Sequence, residues 1–106
     1  MVKKTSPWMV LDSKNRGILE KEIDNTIQAI PIFVKKYRDT TMKARLQYRD
    51  EADFVLGFAC GKIIFTYVHN FWIKNRKFPS KDEVEDIHLI IERRIREMKE
   101  AIFRTG

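Results

Sequence analysis

One cysteine, three prolines and four glycines are all that 106 residues hold of the types that staple, break or sharply turn a chain. A lone thiol, Cys60, excludes an internal disulfide framework. The scarcity of glycine and proline argues against a sandwich or barrel of many short strands, because long stretches of strong helix formers run between them. No positively charged leader with an apolar run and a cleavage site opens the sequence, so the expectation is a reducing, cytoplasmic setting. Also missing are a phosphate-cradling glycine loop, a Gly-x-Ser-x-Gly elbow and a pair of cysteine ligands for zinc. A non-enzymatic chain with no catalytic residues, no metal, no cofactor and no small-molecule substrate is therefore expected.

What is present points to one all-α domain spanning residues 1–106, with 43% hydrophobic content for one modest core. Residues 1–11 lack a helical period and read as an arm whose Trp8, Met9, Val10 and Leu11 dock onto the core. Asp12 or Ser13 can cap the helix that follows. Leu19, Ile23, Ile27, Ile30, Val34 and Tyr37 recur at four- and three-residue steps, predicting a helix over 12–38. Pro31 lies inside it, where a missing amide and a crowded carbonyl cost roughly 3 kcal/mol, so a kink is expected near Ile27 to Ile30. Residues 39–49 read as a connector.

The segment from Asp50 to Lys74 contains the most apolar stretch, GFACGKIIFTYVHNFW, from Gly57 to Trp72. Phe54, Phe58, Gly61, Phe65, Val68 and Trp72 form one seam of helical spacing. Leu56, Cys60, Ile63, Tyr67 and Phe71 form a second. Between them runs a thin polar strip, Lys62, Thr66 and His69. Two seams on one rod predict a helix over 50–75 sandwiched between neighbours. A membrane span is disfavoured: ten Leu, Ile, Phe or Val residues from Phe54 to Ile73 favour insertion by roughly 3–6 kcal/mol, but Lys62 alone costs roughly 3. Gly57 and Gly61 each sacrifice about 0.5–1 kcal/mol relative to alanine. The expected compensation is close approach by another helix of this chain, by a second copy, or by a ligand in a groove.

Phe78-Pro79 breaks the chain, and Ser80-Lys-Asp-Glu83 has the form of a capping box opening a helix over 80–104. Its apolar face is Val84, Ile87, Ile91, Ile95, Met98 and Ile102; acids gather at its start and arginines toward its end, matching the macrodipole. The expected architecture is an antiparallel bundle of three long helices, or four with the first kinked at Pro31.

Three lines bear on function. Glu85-x-x-His88 has the spacing used in carboxylate-bridged metal bundles but occurs once, so a surface acid beside a seam histidine is the simpler account; His88, if buried, would be a pH switch. A net charge of +6 and two basic groups offer phosphate contacts: Lys35, Lys36, Arg38, Lys43, Arg45 and Arg49, then Lys74, Arg76 and Lys77, with Trp72 and Phe78 beside the second for stacking. The leading expectation is instead an interaction or assembly module with a protein partner or a second copy of itself, using Gly57, Phe58, Gly61 and Phe65. Nucleic-acid binding is the alternative.

Overall fold

The computed structural model describes residues 9–39 and 50–105. Among the described residues there are four helices and no strand: α1 (Ser13–Arg38), α2 (Glu51–Asn75), α3 (Lys81–Arg93) and α4 (Ile95–Arg104). The chain is an all-α bundle, as its composition predicts. Of the arm, Leu11 is buried, Met9 is half-buried and Val10 is exposed. Trp8 and the connector beyond Asp39 lie outside the described residues.

Each of the first three helices begins on a side-chain cap, and α4 begins without one. The Asp12 carboxylate accepts from the Asn15 amide at 2.8 Å, and Asp50 accepts from the Asp53 amide at 3.1 Å. Ser80 and Glu83 form the reciprocal capping box, with the Glu83 amide donating to Ser80 Oγ at 3.1 Å and the Ser80 amide to Glu83 Oε1 at 2.8 Å. These bonds satisfy amides that the first turn of a helix leaves without partners.

α1 runs through Pro31 as one helix, so the fourth helix does not arise there. It arises at Arg94, where φ −103° and ψ 3° interrupt the last segment and the Arg94 amide bonds Ile91 O instead of continuing the helical pattern. The single helix expected over 80–104 is thus two. The interruption lets α4 lie against both α1 and α2 while α3 packs on α1.

Three contacts fix the pairing of α1 with α2. Tyr67 donates to Asn15 O at 3.4 Å, Lys62 meets Glu22 at 2.7 Å, and Arg38 pairs with Glu51. Numbers rise on one helix as they fall on the other, so the two are antiparallel. The last segment runs alongside α1 in the same sense: Asp86 meets residues 10 and 11, and Arg94 meets Glu20 and Asp24.

One core joins Leu19, Ile23, Ile30 and Val34 of α1, Val55, Ala59, Ile63, Tyr67 and Phe71 of α2, Ile87, Ile90 and Ile91 of α3, and Met98, Ala101 and Ile102 of α4. On α2 the buried residues advance by four at every step, the i±4n row that helices use as a packing ridge. Ala59 is small enough to let neighbours close in at mid-length.

Candidate functional site

At 100° per residue, the seam Phe54, Phe58, Gly61, Phe65, Val68 and Trp72 lies within about 40° of the direction opposite Ile63. α2 lies between two neighbours, α1 and α4, as expected, but both pack on the Ile63 side, so the expectation that both seams are covered is corrected: Phe58, Gly61, Phe65 and Trp72 are exposed, while Phe54 is half-buried against Tyr37 and Val68 is half-buried. Phe65 is 71% exposed, Phe78 67%, Phe58 47% and Trp72 38%. Little of this is balanced by polar groups. Phe58 stacks on Phe33 of α1 with ring centres 4.3 Å apart and planes 4° from parallel, and Phe65 stacks on His69 at 5.8 Å.

A groove of about 630 Å³ follows this side, lined by Gly61, Ile64, Phe65, Val68, His69, Trp72 and Phe78. Trp72 and Phe78 close one end with centroids 6.4 Å apart, and the Arg76 guanidinium lies 5.6 Å above the Trp72 ring. Arg76 ends α2 in the left-handed conformation, φ 58°, with its amide on Trp72 O at 2.7 Å. A side chain in that region is held at a cost that glycine would not incur.

Gly57 and Gly61 are both exposed, and a Cβ built on either would meet nothing within 4 Å. The expectation that they admit a neighbouring helix of the same fold is therefore corrected. Their open space belongs to the outer face.

Lys62, the cation that disfavours a membrane span, reaches across to α1, donating to Glu22 Oε2 at 2.7 Å and Thr26 Oγ1 at 3.0 Å. Thr26 is buried because this pairing satisfies its hydroxyl. By length and composition α2 could still cross a membrane, and only 28% of its most apolar window is buried. As folded, however, it is bonded on one side to helices whose own outer faces expose Lys21, Asp24, Lys35 and Lys36 on α1 and Arg96, Lys99 and Glu100 on α4.

The basic residues divide. Lys35, Lys36 and Arg38 end α1, where Arg38 is engaged with Glu51. Lys74, Arg76 and Lys77 end α2 at the opposite end of an antiparallel pair, about 35 Å away by helix length. Lys43, Arg45 and Arg49 lie outside the described residues. Of the two groups, only the second adjoins the groove.

The chain matches no family model, no curated protein and no solved structure.

His88 is exposed, and Glu85 is exposed beside it. Among the described residues no group of three or more His, Cys, Asp or Glu converges to hold a metal. Cys60 is half-buried with Sγ 4.0 Å from Met98 Sδ, and burial pushes its thiol pKa up, away from the reactive thiolate.

Two residues with tertiary roles gave weak sequence signals. Asp86, 4% exposed, accepts on Oδ2 from the Val10 amide at 2.7 Å and the Leu11 amide at 2.9 Å, fixing the arm to α3. Arg94 gathers Glu20 at 2.6 Å, Asp24 at 2.5 Å and Glu97 at 2.5 Å at the α3–α4 joint. Hydrogen bonding to Glu97, Asp24 and Glu20 raises the already high pKa of Arg94, and the same bond lowers that of Glu97.

Proposed function

We propose that this chain is a non-enzymatic interaction and assembly module of the cytoplasm that docks a protein partner on the outer face of α2. The observation that carries the reading is a run of exposed aromatics opposite the core, Phe58, Phe65 and Trp72, continuing into Phe78 around an open groove. Contiguous apolar surface of this kind on a small chain marks a docking site. Gly57 and Gly61 keep part of the face flat at a cost in helix stability, which a close partner would offset.

The face suits protein better than hydrocarbon. Lys62 and the charged outer faces of α1 and α4 would have to be stripped or buried for α2 to enter a bilayer, at several kcal/mol per ion.

The test is a photoreactive phenylalanine analogue placed at Phe65 in the full chain, irradiated in its native cells. Adducts to polypeptide, lost when Trp72 is also replaced by aspartate, support the reading. Adducts to lipid alone, or none, overturn it.

A second reading rests on the Trp72, Phe78 and Arg76 cluster beside Lys74 and Lys77, which offers a stacking platform with phosphate contacts for single-stranded nucleic acid. It requires binding of a mixed oligonucleotide that falls steeply with salt and disappears in the Lys74→Glu, Arg76→Glu, Lys77→Glu variant. Binding that persists in that variant, or is absent at low salt, removes it.

A further inference from the structure

The outer face of α2 has a geometry that selects its own partner, an inference that rests on the interaction reading above. From Phe54 to Trp72 its seam advances by four, three, four, three and four residues. This is the 3.5-residue repeat of a coiled-coil interface, whereas the buried row of the same helix, Val55 to Phe71, advances by four throughout. The helix thus carries one pattern for its own bundle and a different one, on the opposite side, for a straight helical neighbour.

That seam is symmetric about Ile63. A two-fold axis on the outer face, level with Ile63, with a second α2 running the other way, places Gly61 opposite Phe65 of the second copy, Phe58 opposite Val68, and Phe54 opposite Trp72. The central layer is a knob and a hole. Phe65 is the most exposed side chain of the seam at 71%, and the space where a Gly61 Cβ would stand is empty. Each copy contributes one of each, as an isologous interface requires.

Charge chooses the direction. α2 and its cap begin with Asp50, Glu51 and Asp53 and finish with Lys74, Arg76 and Lys77. In the antiparallel register Asp50 falls beside Arg76 of the second copy, whereas a parallel pair would bring the acidic starts together and the basic ends together; Lys74 takes no part, since it lies toward α1 in a cleft with Asn15 and Ile18. Opposed helix dipoles add to the preference. Arg76 is already held over Trp72 by its left-handed backbone, at the end of the seam where the opposing acid would arrive.

We propose that the partner is a second copy of this chain, bound through an antiparallel α2–α2 seam on the outer face, its midpoint level with Ile63 on the opposite side of the helix. The contact runs about 27 Å from Phe54 to Trp72.

The purified full chain is followed by sedimentation equilibrium over a concentration series. The expected result is a mass rising from 12.7 kDa to twice that value. Phe65→Asp, at an exposed position, should weaken the association at least about tenfold while helicity by circular dichroism is unchanged. Direction is read by disulfide trapping in a Cys60→Ala background, mixing chains that carry Phe58→Cys with chains that carry Val68→Cys, which face each other in the antiparallel register. Heterodisulfides between the two should dominate. Homodisulfides in their place overturn the antiparallel register. A wild-type chain that keeps its helicity and stays monomeric to about 1 mM overturns the second copy as partner. That failure is separate from failure of the interaction reading, because photo-adducts from Phe65 to a different polypeptide would uphold the latter.

Discussion

Replacing Gly57 and Gly61 together by alanine should make the isolated chain more stable. Both lie in the interior of α2, and neither new methyl group would meet an atom within 4 Å. The full helix-propensity gain is then available, about 0.5–1 kcal/mol at each position. The sites share no partner, so the gains should add to about 1–2 kcal/mol. For a domain near 100 residues this raises Tm by roughly 4–16 °C. Urea and thermal unfolding, followed by circular dichroism at a dilution where the wild type is monomeric, would measure it. A loss of stability, or a gain below about 0.3 kcal/mol, would refute the reasoning by showing that the fold itself presses on these backbones. At concentrations where copies associate, the methyl group at position 61 fills the hole opposite Phe65 and should weaken the complex. Opposite signs in the two regimes are the signature of a face kept bare for something outside the fold.

Asp86→Ala should cost about 3 kcal/mol in denaturant unfolding, because it leaves the Val10 and Leu11 amides without their charged acceptor, while Glu85→Ala next to it, at an exposed position, should stay within about 0.5 kcal/mol. Arg76→Gly should stabilise the monomer by roughly 1 kcal/mol, since glycine adopts the left-handed cap without strain; an unchanged melting temperature would contradict this. Burial, with smaller contributions from Glu83 and Asp12, pushes the Tyr67 phenol up to about 12. The folded state therefore holds its proton longer than the unfolded chain: stability is fully present below the ordinary tyrosine value near 10 and falls as pH rises from there toward 12, a decline that Tyr67→Phe should flatten. Glu97 behaves in the opposite sense. Its hydrogen bond to Arg94 lowers its pKa, so its contribution is present above the ordinary glutamate value near 4.3 and is lost as pH falls through the folded value; carboxyl NMR titration should show the shift disappear in Arg94→Met.

The helix ends were legible wherever local chemistry sets them. Asp12 and the Ser80–Glu83 pair act within a few residues of themselves, so sequence spacing suffices to find them; Asp50 caps α2 by the same local chemistry but was read only as the start of the segment. The choice between the two apolar seams of α2 was not legible, because both have helical spacing and similar hydrophobicity. What decides it is long-range: Lys62 must reach Glu22 and Thr26 on α1, and this turns Ile63 inward and Phe65 outward. Thr26 itself was passed over as polar, although Glu22 one turn before it was the available hint. Asp86 was read as one more acid at a helix start, since nothing local shows that residues 10 and 11 arrive there. The interruption at Arg94 has no glycine or proline to announce it. Of the proposed interface, Gly57, Phe58, Gly61 and Phe65 were named from the sequence and Trp72 was placed on the same seam, but Phe78 joins that face only through the fold of the chain after α2.

The bond between Asp86 and residues 10 and 11 closes a circuit of chain that contains all of α1 and α2. Opening it releases the entropy of a loop some seventy-five residues long, a gain that grows only slowly with length and so resembles that of many shorter loops. While the clasp holds, the chain entering α1 is anchored to α3, and once it opens the first turn of α1 loses that anchor. Melting should accordingly follow one cooperative transition rather than a peeling of helices from one end, even though each rod in the stack is built from largely local contacts.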